Sequence, residues 1–495
     1  MRTRTLLFIG GVIASLAIGS ACADRPTEPA ATRVAMSSAL GIRADGAGQE
    51  KVAICHFSGD GARILSVALP SLDAHAGHDD YVAGLVVDKR YVGVADGIHF
   101  GRIGDAIAAA RASRLTHGEL ETAACRITIA VGPGVFAGAP TPNADPASEL
   151  FPFVLDVPDV TLTGSFVMQL DGRDRASSAA YGAEATVIAP SSPLPVTANV
   201  SLPVFVVNGH PTGSKGNGVV IEGFVLRSGH TGVGDDAGGQ GVMSLRVRDL
   251  VVRRNRFEAG YTESLDLRAT SAVVEQNHLG GGAGTCDVCL AGPGDYVAQG
   301  NRLQAGGIPG IVAVPATLIP VPPMVEQYAL PAASTVTARF INNEVHDHLR
   351  VPMGAALRVG AIGINAPNVV GTARVEARNN TLINNRFGIL VEAAFPVAGG
   401  SLRGDIDLTL SGNELVQSCQ NNLLVSFSRH TTAVGLSNLP YLRNTTYRLS
   451  LGGDVAWADA WYSHPAGFGN TLVVDGTTIP NGAFNAYNAM KTCIA

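Results

Sequence analysis

The sequence predicts an all-β solenoid, a stack of coils, and three observations carry that prediction. The triplet Asn-x-apolar recurs as Asn255-Arg256-Phe257, Asn277-His278-Leu279, Asn301-Arg302-Leu303, Asn343-Glu344-Val345, Asn380-Thr381-Leu382 and Asn413-Glu414-Leu415. Apolar residues with period two lead into each asparagine: Val252, Val274, Ala298, Phe340, Ala377 and Leu410 three positions before it, and Leu250, Ala272, Tyr296, Ala338, Val375 and Leu408 five before. The position between them is mixed (Val251, Val273, Val297, Arg339, Glu376, Thr409), as an outward-facing strand position should be. The third observation is composition. Of 495 residues 59 are glycine, 15% are charged and 46% hydrophobic, which excludes disorder over most of the length and suits β structure with many tight turns.

Successive asparagines are 22, 24, 42, 37 and 33 residues apart. A constant strand–Asn–strand unit with insertions of variable length fits stacked coils, because one coil cannot bury its apolar face alone. Asparagine tolerates the left-handed backbone that a sharp corner between strands requires. Stacked corners would place the amides one above another, where they hydrogen-bond along the stack. On these residues the chain resembles the right-handed parallel β-helix of the pectate-lyase-like superfamily, with its internal asparagine ladder. Residues 126–136, 153–164 and 219–226 look like further coils, and the resemblance covers about 100–480.

The run Gly104 to Ser113 is expected to be a short helix capping the N-terminal end, where an open sheet edge invites aggregation. At about 4.8 Å per coil, about ten to twelve coils make a rod about 50 to 60 Å long. Pro309, Pro315, Pro320, Pro322, Pro323 and Pro331 mark an insertion over about 304–335 that projects from the rod. Trp457, Trp461 and Tyr462 are placed to cover the C-terminal end, and 481–495 form a tail.

Residues 1–22 read as an export signal: Arg2 and Arg4, an apolar run from Leu6 to Ile18, then small residues. Two processing sites compete there. Ala21-Cys22-Ala23 before Asp24 fits ordinary cleavage, whereas Gly19-Ser20-Ala21-Cys22 resembles a bacterial lipobox. The second is favoured, because cysteine is unusual at a secretory cleavage site and residues 23–50 read as a flexible tether behind it; Cys22 is then the lipidated first residue. The reading is a protein of the bacterial envelope, an outer-membrane lipoprotein or a secreted chain, touching membrane through a lipid anchor only. Six further cysteines (Cys55, Cys125, Cys286, Cys289, Cys419, Cys493) suit up to three disulfides of open connectivity. With 35 Lys+Arg against 41 Asp+Glu the net charge is −6, and a nucleic-acid partner is not expected.

Residues 51–84 carry Cys55-His56, a strand-like run from Arg63 to Leu69, and His75-Ala76-Gly77-His78-Asp79-Asp80. They resemble a short module of bacterial exported proteins that begins "ICH" and ends "H-x-x-H-[GD]-D". The closing cysteine usual in that pattern is missing, which leaves Cys55 either as a ligand or as a partner for Cys125. Thiolate and imidazole suit Zn²⁺ or copper, so Cys55, His56, His75, His78 and Asp79 form a candidate metal set. The alternative is a disulfide-linked cap with three exposed histidines.

Enzymes of the resembled superfamily usually act on polysaccharides along one exposed sheet. A lyase needs a base, and often Ca²⁺ held by carboxylates; a hydrolase needs two or three carboxylates within about 5 to 9.5 Å. Two places offer such groups: His346, Asp347, His348 and Arg350 beside a coil corner, and His230 with Asp235 and Asp236 in a Gly-rich loop. Neither matches a catalytic motif of the superfamily. Arg253 and Glu275 stand two before their asparagines, so they are expected side by side on adjacent coils as a surface pair. The favoured function is binding or organising a glycan or another surface partner along the rod. The rival is a polysaccharide lyase or glycoside hydrolase using His346 to Arg350, and the third reading is a passive structural or adhesive rod. An aromatic content of 6% weighs against extensive sugar stacking.

Overall fold

The computed structural model describes residues 50–483 except 59–60, 77, 79, 116–124, 140–144, 178–179, 191–195, 198–199, 210–214, 229–238, 269, 282–285, 305–308, 318–330, 350–353, 362–368, 394–402 and 428–441. The chain winds into a right-handed parallel β-helix. Among the described residues three sheets run along it: sheet I with 14 strands, and sheets II and III with 10 each. The repeat sets this register. Leu250–Arg253, Ser271–Glu275, Gly294–Gln299, Ala333–Ile341, Val370–Arg378 and Gly404–Ser411 are neighbours in sheet I, and Val252, Val274, Ala298, Phe340, Ala377 and Leu410 lie in one line across them. All six are buried, whereas the mixed positions between the apolar ones face outward.

The six asparagines form an internal ladder. Each Nδ2 donates to the Oδ1 of the next, from Asn255 through Asn277, Asn301, Asn343 and Asn380 to Asn413, at 2.8 to 3.2 Å. Each also donates to a backbone carbonyl of the preceding coil, such as Ala298 O for Asn343. Asn413 ends the ladder on Asp454 Oδ2 at 2.6 Å. The left-handed corner lies one residue earlier than the sequence reading placed it. Arg254, Gln276, Gly300, Asn342, Asn379 and Gly412 hold φ between 53° and 67°, which frees the following asparagine to turn its amide inward.

The first coils are filled by aromatic rings: Phe151, Phe153, Phe205 and Phe224 follow one another at centroid distances of 4.9, 5.4 and 6.0 Å. The helix Ile103–Leu115 covers that end, burying Ile103, Ala106, Ile107 and Ala110 at helical spacing in the same core. Lys51–Ser58 pairs antiparallel with Gly61–Ala68 and with Tyr81–Val82. Cys55 is bonded to Cys125, tying this small sheet to the rod, and Tyr81 donates to the Cys125 carbonyl at 3.1 Å. Cys286 is bonded to Cys289 in the strand Val288–Ala291, and Cys419 is also disulfide-bonded. The Pro-rich segment is not wholly an insertion, because Ile311–Val314 is a strand of sheet III. Arg253 stands between Glu222 at 2.5 Å and Glu275 at 3.6 Å on neighbouring strands.

Glu149 caps the helix, accepting from Ile103 N at 2.6 Å and Gly104 N at 3.2 Å. Burial pushes its carboxyl up to about 7, against those two amide hydrogen bonds. A carboxyl raised above its unfolded value contributes stability fully present below about pH 4.5 and lost as pH rises through 7, about 3 kcal/mol in size. Thermal unfolding of the Glu149→Gln variant is therefore expected to lack the fall in stability that the native chain shows between about pH 4.5 and 7. Parallel pH curves for the two proteins would assign that fall to other groups.

Candidate functional site

The strands of sheet II are two to six residues long, and those from Arg256–Phe257 to Glu414–Val416 are two or three, so each of these presents only one or two side chains outward. Phe257, Leu279, Leu303, Val345 and Leu382 point into the core, and the residue before each of them faces out. Arg256, His278, Arg302, Glu344, Thr381 and Glu414 consequently form one line across the sheet, with Gln304 and His346 side by side in the next.

A strap crosses this face. Residues 164–185 leave sheet I after Val160–Thr163 and rejoin the coil at Thr186–Pro190 in sheet II, folding on themselves at the bridge between Leu170 and Ala176. Their tip reaches Glu414, seven strands from Thr186–Pro190 and about 34 Å along the rod. Asp171 holds the tip by accepting from Arg175 Nε at 2.9 Å. Ala176 N donates to Gly300 O at 2.8 Å, and Asn342 donates to the Arg173 carbonyl. Arg173 lies 3.2 Å from Glu414, and Arg175 reaches Thr381 Oγ1 at 3.1 Å.

Under the tip, Glu344 is bracketed by two guanidinium groups, Arg302 at 2.8 Å and Arg175 at 3.0 Å. His346 sits beside it. Its Nδ1 is 3.0 Å from Asp347 Oδ2, and Asn384 Nδ2 donates to Asp347 Oδ1 at 2.7 Å. Burial acts to raise the Asp347 carboxyl, but the hydrogen bonds from His346 and Asn384 outweigh it and hold the group below the usual carboxylate range. The other ring nitrogen of His346 makes no hydrogen bond, lying 3.8 Å from Glu344 Oε1. His278 is 3.2 Å from the Gln304 side-chain oxygen; burial first, and then Arg256, push its imidazole down to about 4, so the ring is neutral at ordinary pH.

Of the sequence candidates, the structure brings His346 and Asp347 together here. It separates His348 from them. Asp347 takes φ 63°, which reverses the alternation, so His348 turns inward and meets Asp287 at 2.9 Å with no exposure. Arg350, His230, Asp235 and Asp236 lie outside the described residues. Sequence reasoning missed Arg302, Gln304 and Glu344, although two of these are the variable residue of the repeat triplet. It also missed Asp171, Arg173 and Arg175, which arrive from a distant part of the chain.

In the N-terminal module His56, His75 and Asp80 converge. Both Nδ1 atoms lie 2.8 Å from the same oxygen, Asp80 Oδ2, while Phe57 N donates to Oδ1 at 3.1 Å. Cys55 is not part of this group, because its sulfur is bonded to Cys125 and is no thiolate. His78 is exposed in the following turn, where its backbone N–H donates to the His75 carbonyl at 2.9 Å but its ring is not part of the group, and Asp79 lies outside the described residues.

The sheets and the ladder define the class: a right-handed parallel β-helix. No protein-family model matches the chain, and no curated protein matches it. Among solved structures it is similar to DFA-IIIase from Arthrobacter chlorophenolicus A6 without its lid in complex with GF2, at 13% identity over 76% of this chain and 90% of that one, TM-score 0.36. It is also similar to tailspike protein 3 of bacteriophage CBA120 (11% identity, 86% and 65%, TM-score 0.26). An exopolygalacturonase from Thermotoga maritima is a third such structure (8%, 75% and 88%, TM-score 0.25). These likenesses concern the fold alone.

Proposed function

We propose that this chain is an exported, lipid-anchored β-helix of the bacterial envelope that binds a hydroxyl-rich glycan on the strap-flanked face of sheet II. One observation carries the reading. His346, Gln304, Arg302 and Asp347 are planar polar groups fixed by their own hydrogen bonds and ion pairs, and their side chains stay partly exposed beside one another on this face. Rigid, partly exposed polar groups suit sugar hydroxyls. Both oxygens of Glu344 are taken by arginines, and both oxygens of Asp347 by His346 and Asn384. Such carboxylates hold a ligand or a neighbour better than they transfer a proton, which favours binding over hydrolysis.

The purified chain is expected to be retarded by at least one member of a panel of acidic and neutral polysaccharides. His346→Ala and Gln304→Ala should each weaken that binding about 10-fold, the loss of about one or two hydrogen bonds. Release of reducing ends or of unsaturated products would replace this reading with the enzymatic one, and binding unchanged in both variants would move the site elsewhere. The lipid anchor rests on the sequence around Cys22. Mass spectrometry of the mature chain should find lipidated Cys22 first, and an unmodified chain beginning at Asp24 would overturn that part.

A further inference from the structure

We propose that His56, His75 and Asp80 bind one divalent first-row transition-metal ion within the N-terminal module. The three come from separate segments: the strand Lys51–Ser58, the helix Leu72–Ala76, and the residue just before the strand Tyr81–Val82. Their donor atoms lie within 4.8 Å of one another. Ligands bound tetrahedrally at about 2.0 to 2.2 Å stand about 3.3 to 3.6 Å apart, so shifts of about 1 Å close this cluster on an ion.

The carboxylate is set in advance. Asp80 is only 1% exposed and its second oxygen is held by Phe57 N, whereas the rings of His56 and His75 are 23% and 25% exposed. The Phe57 amide gives the carboxylate the outer-sphere support that a metal ligand needs, and two imidazoles are turned onto its other oxygen. Without an ion, an Nδ1–H on each ring donates to Asp80 Oδ2. With one, the Nδ1 lone pair binds the metal and the same proton sits on Nε2, so each ring keeps one proton and Asp80 exchanges two N–H donors for a cation.

Two imidazoles and one carboxylate select Zn²⁺, Co²⁺ or Fe²⁺ over Ca²⁺ and Mg²⁺, which prefer all-oxygen sets. A bound ion would join strand, helix and loop beside the Cys55–Cys125 bond. The ion would then hold the module's own segments together, while the disulfide ties the module to the rod.

The test uses the full-length chain, stripped with a chelator and then titrated with Zn²⁺, Co²⁺ or Ca²⁺. The proposal expects one Zn²⁺ or Co²⁺ per chain beyond what the His75→Gln and Asp80→Asn variants bind, with affinity at least about 10-fold weaker in each variant. It further expects a visible Co²⁺ absorption band that both variants lose, and no Ca²⁺ uptake at this site. Imidazole ¹⁵N shifts of the native chain should move the proton from Nδ1 to Nε2 on adding Zn²⁺. Equal stoichiometry and affinity in all three proteins would overturn the proposal. If a variant fails to fold, a native chain whose Co²⁺ spectrum is that of the aqua ion and whose imidazole shifts stay fixed overturns it equally.

Discussion

Replacing Asn343 by alanine is expected to cost about 3 to 6 kcal/mol of unfolding free energy. The Asn343 carbonyl accepts from Asn301 N at 3.1 Å and Asn301 Nδ2 at 2.9 Å, while its amide donates to Ala298 O at 2.8 Å and Asn380 Oδ1 at 3.0 Å. Alanine takes away all four bonds and leaves their partners in a dry interior, at about 1 to 3 kcal/mol for each group left without a substitute. The end rung should be cheaper. Asn413 is 7% exposed and faces Asp454, so water can replace part of what Asn413→Ala removes. Guanidinium unfolding would show a lowered midpoint with an unchanged slope for Asn343→Ala, and a smaller shift for Asn413→Ala. Equal shifts, or a cost under about 1 kcal/mol for Asn343→Ala, would mean that the ladder does not hold the coils together.

The second large effect concerns charge inside the protein. Arg358 and Glu392, on the outer side of neighbouring strands of sheet III, form an ion pair with 0% exposure on both sides. Removing either one, as Arg358→Met or Glu392→Leu, takes an ion-pair partner from a charge held away from water and is expected to cost about 3 to 5 kcal/mol. The double variant Arg358→Met/Glu392→Leu fills the space with apolar side chains and should cost less than either single change. The measurement is a double-mutant cycle by chemical unfolding. Additive losses would show that the two side chains do not act as a pair.

The fold was legible because the signal repeats. Six asparagines with apolar residues three and five positions before them can satisfy that pattern only by stacking, and the register of sheet I follows line by line. The corner conformation was assigned one residue too late. The left-handed position holds Arg254, Gln276, Gly300, Asn342, Asn379 and Gly412, residues too varied to form a visible column in the sequence, whereas the asparagine beside it is constant.

The site was legible only in part. His346 and Asp347 stand next to a ladder corner and could be found there. His348 follows the same alternation on paper, and only the turn at Asp347 sends it into the core. The strap left no sequence signal, since its contacts to Asn342 and Glu414 span 169 and 241 residues. In the N-terminal module, Asp79 and Asp80 are adjacent and chemically alike. Which of the two meets the histidines depends on the backbone path into the strand Tyr81–Val82, which residue types alone do not fix.

Glycan binding under the strap is tested most directly by hydrogen exchange with and without a polysaccharide that the chain retains. The account predicts slowed exchange in peptides covering 168–177, 302–304 and 344–347, and little change on the outer face of sheet I around 335–339 and 372–376. Protection confined to sheet I, with none under the strap, would contradict it.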